Sequence, residues 1–398
     1  MNENKGGPRP PRVLGKVLSL GDFERLAARR LPRPIYGYVS GACEDGQSLR
    51  ANREAYADYE LTTRILTDVS TRTQEIELFG RRYRSPFGIA PMGIAALSAY
   101  RGDVILAEAA LRAGIPSIMS GSSLIRMEEV AAAAPGTWFQ AYLPGEQAQI
   151  NALIDRVAAA GFETLVITVD TPASANRENN IRTGFSTPLR PSARLAWDGV
   201  SHPRWLFGTF FRTLARHGMP HFENSFATRG APIMSSSVLR DFAARGHLTW
   251  EHARAIRARW RGPMIIKGIL DPADATLARQ HGMDGIIVSN HGGRQLDGAA
   301  APLRVLPRVL DAFGDRPVMI DSGVRRGSDI CKALSLGARC VFLGRPFNYA
   351  AAVAGAPGID HAIDLLREEL SRNMAMMGVT SPAQFNPSFL VRAPPRVA

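Results

Sequence analysis

The sequence has little cysteine and lacks the marks of an exported or membrane-spanning chain. Cys43, Cys331 and Cys340 are too few and too widely spaced for a disulfide framework or a zinc site. Residues 1–16 contain no apolar core of a signal peptide, and no apolar run is long enough to cross a bilayer. We therefore expect a cytoplasmic protein in a reducing compartment, with no metal.

Signatures of nucleotide and nucleic-acid binding are also missing. The chain has no GxGxxG run and no nucleic-acid motif. Its net charge of +12 comes from arginines spread along the whole length rather than massed in one arm. Nucleic acid, an anionic membrane surface and anionic small molecules would all suit this charge. Without a motif, nucleic acid is the weakest of the three.

Short apolar runs that end in small or polar residues recur along the 398-residue chain. Continuous Val, Ile and Leu are typical of parallel strands covered on both faces. The eight runs are residues 87–91, 117–121, 138–142, 164–170, 264–269, 285–291, 317–323 and 340–345.

Helix-like segments separate most of these runs. Residues 101–114, 146–161, 271–282 and 325–337 have helical features and each ends in glycine. Strands alternating with helices favour an α/β fold of the (β/α)₈ TIM-barrel type over a doubly wound sheet. We expect an N-terminal arm and helical cap (1–86, helical around 19–31), the barrel (87–380) with an insertion after strand four (about 171–263), and a C-terminal tail (381–398).

Polar residues stand at the carboxyl ends of the predicted strands, where barrel residues converge on one site. Singly, most would be local hydrogen-bonding groups, but the set as a whole predicts a binding site. Glycines and arginines after strands seven and eight indicate a phosphate site. A buried Lys267 would suit a Schiff-base nucleophile or a cation that stabilises a charged cofactor. The set is Pro91, Met92, Gly93, Ser120, Ser122, Gln140, Tyr142, Thr168, Asp170, Lys267, His291, Arg294, Asp321, Arg325, Gly344 and Arg345.

The stretch "IIVSNHGGRQLDG" (286–298) places an imidazole, two glycines and a guanidinium at the end of one strand. A glycine turn with a surface histidine is the simpler interpretation. The alternative is a general base, His291, oriented by Asp170 and placed beside Arg294, whose planar fork suits a carboxylate. The residues alone therefore predict a phosphorylated ligand, an anionic substrate and proton abstraction near a carboxylate.

Six motifs, in "FQAY", "TVDTP", "IIKGI", "SNHGGRQLD", "DSGVRRGSD" and "FLGRP", resemble those of the FMN-dependent α-hydroxy acid dehydrogenases and oxidases. The resemblance runs from about residue 20 to about residue 380. It implies FMN as cofactor, oxidation of an anionic L-2-hydroxy acid such as lactate or mandelate to the 2-oxo acid, and a homotetramer.

The resemblance also implies roles for individual residues. His291 would remove a proton while two electrons pass from the substrate α-carbon to flavin N5, as a hydride or through a carbanion. Gly292 and Gly293 would let the backbone approach the ligand closely, and Lys267 would stabilise negative charge at flavin N1. The implied catalytic residues are His291, Asp170, Tyr142, Arg294, Arg177 and Tyr38, with both arginines on the substrate carboxylate. The residues implied to bind FMN are Pro91, Met92, Gly93, Ser122, Gln140, Thr168, Lys267 and Ser289. Those implied to bind its phosphate are Asp321, Gly323, Arg325, Gly344 and Arg345.

Two positions depart from the oxidase pattern of this family. Gly93 stands where the oxidases usually have alanine, and Leu124 where they have tryptophan. Both changes resemble the branch of membrane-associated mandelate and L-lactate dehydrogenases. Both would open space for a side chain larger than that of glycolate.

The insertion contains a basic, aromatic-rich segment that predicts an amphipathic helix. At 100° per residue, Arg204, Arg212 and Arg216 share one face. The other face carries Leu206, Phe207, Phe210, Phe211 and Leu214. This pattern suits a helix lying on a membrane surface. The segment resembles the membrane-binding insertion of the membrane-associated mandelate and L-lactate dehydrogenases, and this resemblance implies an enzyme on the inner face of the cell membrane that would reduce a quinone or another respiratory carrier. A lid or a helix packed on the barrel is the competing interpretation.

Three other functions remain open on the sequence. An oxidase of the same family would pass the electrons to O₂ and release H₂O₂. A non-redox FMN barrel such as an isomerase fits less well, because it has no need for the His291, Arg294 and Arg177 group. A nucleic-acid-binding protein would leave the FMN positions without a purpose.

Overall fold

A computed structural model describes residues 11–186, 192–235 and 245–394, and the first described residues form helices that lie outside the barrel. The backbone N–H of Ser19 donates to Asp22 (2.8 Å), which caps the first turn of the predicted helix. The first elements are α1 (Leu20–Arg30), α2 (Arg33–Ser40), α3 (Gln47–Glu54), β1 (Tyr59–Leu61), β2 (Ile76–Leu78) and β3 (Arg81–Tyr83).

Eight parallel strands follow, and each falls within one of the predicted apolar runs. Their order around the sheet is β4-β11-β10-β9-β8-β7-β6-β5, and a parallel bridge between Ile89 and Ser117 joins the two ends. The predicted (β/α)₈ barrel is therefore confirmed. The strands are β4 (Phe87–Ile89), β5 (Ile118–Ser120), β6 (Trp138–Ala141), β7 (Leu165–Thr168), β8 (Met264–Ile269), β9 (Gly285–Val288), β10 (Val318–Ile320) and β11 (Cys340–Leu343).

Both faces of these strands are buried, which explains their continuous apolar sequences. Alternate residues such as Val166 and Ile287 fill the barrel interior together with Leu78 and Tyr83 of the β2–β3 hairpin. The Trp138 indole donates to the Tyr83 hydroxyl (3.1 Å), so the hairpin is fastened to the barrel. The other residues of each strand pack against the surrounding helices.

Helices surround the barrel, and all four predicted helical segments are confirmed. On the N-terminal side of the insertion they are α4 (Ala95–Ser98), α5 (Gly102–Ala113), α6 (Met127–Ala133) and α7 (Gln147–Ala159). The insertion contains α8 (Glu178–Thr183), α9 (Ala193–Val200), α10 (Pro203–Trp205), a π-helical turn (Leu206–Phe211) and α11 (Arg212–His217). The later helices are α12 (Trp250–Arg259), α13 (Pro272–Gln280), α14 (Pro302–Phe313), α15 (Gly327–Ser335), α16 (Arg345–Ala354) and α17 (Ala356–Met377).

The two ends of the described chain meet outside the barrel. A last strand, β12 (Leu390–Arg392), pairs antiparallel with β1. Four short 3₁₀ helices, Arg12–Lys16, Ala55–Asp58, Pro382–Gln384 and Pro387–Phe389, lie in the same terminal segments.

The amphipathic helix predicted in the insertion is wrong in its geometry. A π-helical turn replaces regular α-helix at Leu206–Phe211, so the assumed 100° spacing fails there. The predicted apolar face is divided as a result. Leu206 and Phe210 pack on the core, whereas Phe207 and Phe211 are 66% and 46% exposed. Among the described residues, no helix has the length and apolar character needed to cross a membrane.

Candidate active site

A cavity of about 650 Å³ opens at the carboxyl end of the barrel, where the sequence predicts a site. Gln140 and Ser289 are buried outside its lining, and Asp170, also outside the lining, is partly buried. The predicted site residues that line the cavity are Tyr38, Pro91, Met92, Gly93, Ser122, Tyr142, Thr168, Arg177, Lys267, His291, Arg294, Asp321, Gly323, Arg325, Gly344 and Arg345.

His291 presents a basic nitrogen at the wall of this cavity. Its Nδ1 lies 2.8 Å from Oδ1 of Asp170. Because a carboxylate only accepts hydrogen bonds, Nδ1 carries the hydrogen, and Nε2 has a lone pair that can accept one. Nε2 lies 3.4 Å from the Tyr142 hydroxyl. A carboxylate-oriented imidazole in this tautomer can accept a proton from a bound molecule.

The turn that carries His291 is unusual. His291 has φ +58°, a left-handed conformation that non-glycine residues seldom adopt. Neighbouring Asn290 exchanges two side-chain hydrogen bonds with Asn52 of α3, each 2.7 Å long. Gly293 (φ +72°) approaches this same helix, because a Cβ there would lie 2.6 Å from the Leu49 nitrogen. The close approach predicted for Gly293 is therefore to α3 rather than to a ligand.

The charges around His291 set the protonation of the pair. Burial lowers the pKa of His291 by more than the Asp170 carboxylate raises it, so the net direction is down. Burial would raise the pKa of Asp170, but the charges of His291 and Lys267 outweigh it and the pKa is lowered. A neutral imidazole beside an ionised carboxylate follows at neutral pH.

Lys267 is buried beneath the same part of the cavity. Its Nζ donates to Ser289 Oγ (2.7 Å) and lies 3.1 Å from Oδ2 of Asp321. Burial alone would lower its pKa, but the carboxylates of Asp321 and Asp170 outweigh burial and raise it. Lys267 is therefore a fixed cation. This arrangement favours charge stabilisation over the Schiff-base nucleophile, which needs a neutral amine.

Two arginines border the cavity beside His291. The Arg294 guanidinium lies 4.8 Å from the Tyr38 ring and donates to the Tyr38 and Gly41 carbonyl oxygens (2.7 and 2.9 Å). Arg177 donates to the Arg294 carbonyl (3.1 Å). Burial and the charge of Arg177 lower the pKa of Arg294 to about 10. Two adjacent, partly buried cations repel each other, so an anion between them is favoured.

The strand ends of β10 and β11 carry the predicted phosphate residues. Arg345, the first residue of α16, donates to the Gly292 carbonyl (3.0 Å). Burial and the charge of Arg294 lower its pKa to about 9. A Cβ at Gly323 (φ +92°) would lie 2.1 Å from the Asn52 carbonyl oxygen, so only glycine fits there. Arg325 is partly buried, and its buried Nε finds no acceptor among the described residues.

The cavity has free space next to Gly93, which follows β4, the first strand of the barrel. A Cβ added there would lie 3.1 Å from Ser122 Cβ and 3.4 Å from the Tyr38 hydroxyl, so the missing methyl keeps space between them. This is consistent with the space expected at Gly93. Leu124, by contrast, is buried and is not among the residues that line the cavity, so the space expected from this position stays a prediction.

Several lining residues could not be identified from the sequence. Phe185, Phe222 and Ile233 come from the insertion and form an apolar wall. Arg245 lies 4.9 Å from the Tyr142 ring and donates to the Leu143 carbonyl (3.1 Å). Asn348 projects from α16. The other site residues were predicted because they stand at the carboxyl ends of barrel strands. None of these five residues follows directly on a barrel strand, so they could not be predicted in this way.

FMN fits the polar atoms that the cavity leaves unsatisfied. Gln140 Nε2, Thr168 Oγ1 and Asn348 Oδ1 are buried without a hydrogen-bond partner in the described part of the chain. A flavin edge offers the donors and acceptors that such atoms need. At the other end, Arg345 is the first residue of the ten-residue helix α16 and Arg325 precedes α15 by two residues, and two arginines with a helix N-terminus suit a phosphate.

Comparison with known proteins agrees with this geometry. Residues 27–392 match the family model described as FMN-dependent dehydrogenase. The (S)-mandelate dehydrogenase of Pseudomonas putida is 35% identical over 94% of each chain. The L-lactate dehydrogenase of Pectobacterium atrosepticum is 38% identical over 94% of this chain and 97% of the relative.

Solved structures show the same similarity. A crystal structure of (S)-mandelate dehydrogenase, described as a monotopic membrane protein, matches with a TM-score of 0.87 at 35% identity. The match covers 95% of this chain and 100% of that one. A mandelate oxidase matches with a TM-score of 0.79 at 32% identity, over 96% and 100% of the two chains. The chain belongs to the family of FMN-dependent dehydrogenases and is a 2-hydroxy acid oxidoreductase.

Proposed function

We propose that this enzyme oxidises an L-2-hydroxy acid to the 2-oxo acid with His291 as the base. The observation that carries the proposal is the His291–Asp170 pair, which leaves Nε2 unprotonated at the cavity wall. The oxidation removes two electrons and two protons from the substrate. Nε2 accepts the hydroxyl proton, the α-carbon hydrogen leaves together with the electron pair, and the Asp170 carboxylate stabilises the imidazolium that forms. FMN, when bound, supplies the two-electron acceptor.

Two arginines would orient the substrate for this proton transfer. Arg294 and Arg177 would hold the substrate carboxylate, because a guanidinium binds a carboxylate through two parallel hydrogen bonds. Tyr142, 3.4 Å from His291 Nε2, and Tyr38 would hydrogen-bond to the substrate oxygens on the same side. The remaining wall is apolar at Phe185, so an apolar substrate side chain is favoured over a polar one.

The chain's own residues would also hold FMN. Lys267 would place a fixed positive charge at the flavin N1 end, while Gln140, Ser122 and Thr168 would meet polar ring atoms. Pro91, Met92, Gly93 and Ser289 complete the proposed ring site, and Asp321, Gly323, Arg325, Gly344 and Arg345 the proposed phosphate end.

An anaerobic substrate screen tests the proposal. Both enantiomers of lactate, mandelate and longer 2-hydroxy acids are mixed with the purified enzyme while the flavin absorbance is followed. We expect bleaching by L-enantiomers only. His291→Ala should retain FMN but bleach about 10²–10⁴-fold more slowly, since a positioned base contributes that much. Bleaching at the wild-type rate in this variant would exclude His291 as the base.

We further propose that the acceptor is a membrane quinone rather than O₂ and that the insertion attaches the enzyme to the membrane. The support is the exposed apolar surface of the insertion, at Trp197, Val200, Phe207 and Phe211, and the description of a similar protein as monotopic. The competing oxidase function is tested by reoxidation. The reduced enzyme should react much faster with a soluble quinone than with O₂, and the reverse result would indicate an oxidase.

Vesicle sedimentation tests the attachment. Phe207→Ser/Phe211→Ser should lose most binding to vesicles, because two interfacial aromatic side chains are removed. Ile65→Ser/Leu66→Ser is the matched control, as these residues are 82% and 102% exposed but outside the insertion. Equal binding by the two double variants would contradict the proposal. The homotetramer remains a prediction that sedimentation equilibrium can check.

A further inference from the structure

A second cavity, which we name the Arg30 cavity, lies away from the active site. It measures about 420 Å³ and lies between the end of α1, the start of α5, the insertion and the start of α17. Its polar lining is strongly basic, with Arg30, Arg101, Arg204 and Arg212. Its residues are not shared with the active-site cavity.

The positive charge in this cavity is mostly uncompensated. Arg101 pairs with Glu129 (3.1 Å), but the described residues show no carboxylate paired with Arg30, Arg204 or Arg212. Nε of Arg30 is buried and lacks a hydrogen-bond partner in the same part of the chain. Burial and the charge of Arg204 lower the pKa of Arg30. Clustered cations of this kind are stabilised by an anion.

The walls of the Arg30 cavity are held in place. The Trp205 indole donates to the Leu97 carbonyl (2.7 Å), which fastens the insertion to the barrel. The Arg212 guanidinium lies 3.9 Å from the centre of the Tyr100 ring. The 22-residue helix α17 begins at Ala356 in the cavity wall, and its N-terminus adds partial positive charge.

An apolar surface adjoins this basic cavity. Gly208 of the π-helical turn lines the cavity, and Phe207 beside it is 66% exposed. The Phe211 ring, 46% exposed, lies 5.7 Å from that of Phe207. A cationic cavity next to exposed aromatic rings matches the two parts of a phospholipid, the phosphate and the acyl chains.

We propose that the Arg30 cavity binds the phosphate of an anionic glycerophospholipid, with Arg30, Arg204 and Arg212 around the headgroup and Phe207 and Phe211 against the acyl chains. The proposal rests on the membrane attachment proposed above and adds a specific site to it. If diffuse positive charge alone attracted the lipid, the loss of binding would depend on how many arginines are substituted. If the Arg30 cavity is a specific site, the loss depends on which arginines are substituted.

Calorimetric titration of the holoenzyme tests the site without a membrane. The probes are dihexanoyl phosphatidylglycerol below its micelle concentration and inorganic phosphate. We expect the lipid to bind and Arg30→Gln/Arg204→Gln to weaken this binding at least tenfold. Arg29→Gln/Arg216→Gln removes the same charge from exposed positions outside the cavity and should bind as the wild type does. Equal loss in both double variants overturns the proposal, and phosphate binding as tight as lipid binding overturns the lipid assignment.

Vesicles then separate this proposal from the membrane proposal. Pure phosphatidylcholine is compared with a mixture of three parts phosphatidylcholine and one part phosphatidylglycerol. Arg30→Gln/Arg204→Gln should lose the preference for the mixed vesicles while keeping its flavin content and its turnover with an artificial acceptor. If the wild type binds neither vesicle yet binds the soluble lipid, membrane attachment fails and the Arg30 cavity stands. Should the double variant not fold, Arg204→Gln alone serves, because Arg204 is exposed.

Discussion

Nδ1 of His291 lies 2.8 Å from Oδ1 of Asp170, although the two residues are 121 positions apart in the chain. The ends of β7 and β9 bring them together across the intervening strand β8. This hydrogen bond therefore sets the tautomer of the imidazole and holds the Asp170 carboxylate next to it.

Asp170→Asn should move the pH dependence of flavin reduction. The base must be neutral, so the rate falls as the pH drops through the pKa of His291, which lies below its usual value. Asp170 raises that pKa, so its loss should shift the acid limb to still lower pH. The plateau should fall by about 10–10³-fold, since an adjacent opposite charge stabilises the imidazolium by about 1–3 pKa units. Stopped-flow reduction across pH 5–9 measures both effects, and an acid limb at unchanged pH would contradict the role assigned to Asp170.

Arg294→Met should weaken substrate binding through its carboxylate. A charge-assisted hydrogen bond contributes about 1.5–3 kcal/mol, so the KM for the hydroxy acid should rise about 10–150-fold. The carboxamide analogue of the substrate is the control. Its binding should change far less, because it lacks the negative charge that the guanidinium attracts. An equal loss of affinity for acid and amide would mean that Arg294 acts through its bonds to α2 alone.

Lys267→Met should lower both the thermal stability and the rate of flavin reduction, and a second substitution should restore only the stability. Breaking a buried ion pair costs about 3–5 kcal/mol, because the Asp321 carboxylate is left without its cation. The double variant Lys267→Met/Asp321→Asn should recover much of the thermal stability but still be reduced slowly, because the fixed charge beside the cofactor is gone. Lys332→Met, a half-buried lysine outside the cavity, is the matched control. Recovery of the reduction rate in the double variant would exclude the proposed role.

Asp103→Asn should flatten the pH dependence of stability. This buried residue of α5 has a pKa raised to about 7, mainly by burial. The folded state therefore keeps a proton that the unfolded state loses, and stability falls as the pH rises from about 4 towards about 7. A raise of about three units corresponds to at most about 4 kcal/mol. Thermal melts at pH 5 and pH 8 should differ less for Asp103→Asn than for the exposed control Asp311→Asn, and identical differences would contradict burial as the cause.

The barrel could be predicted from the sequence because buried parallel strands appear as continuous apolar runs. The residues that follow these strands all lie at the carboxyl end of the barrel. His291, Lys267 and Arg345 could be predicted on that basis. The insertion follows no such rule: its π-helical turn rotates Phe207 and Phe211 outward, and regular spacing cannot anticipate that. The left-handed backbone of His291 was not predicted either; its neighbours Asn290 and Gly293 contact α3, which is distant in the sequence.

The reciprocal amide pair between Asn52 and Asn290 has a consequence for the minimal catalytic unit. These residues are 238 positions apart, and Asn290 immediately precedes the base. A shortened chain starting at β4 would retain every barrel strand but lack Asn52, so the Asn290 amide would keep only its hydrogen bonds with the Ala300 carbonyl and the Gly293 N–H (both 3.1 Å). The helices ahead of the barrel thus help to hold the turn that carries the histidine, and the barrel strands alone are not the minimal catalytic unit.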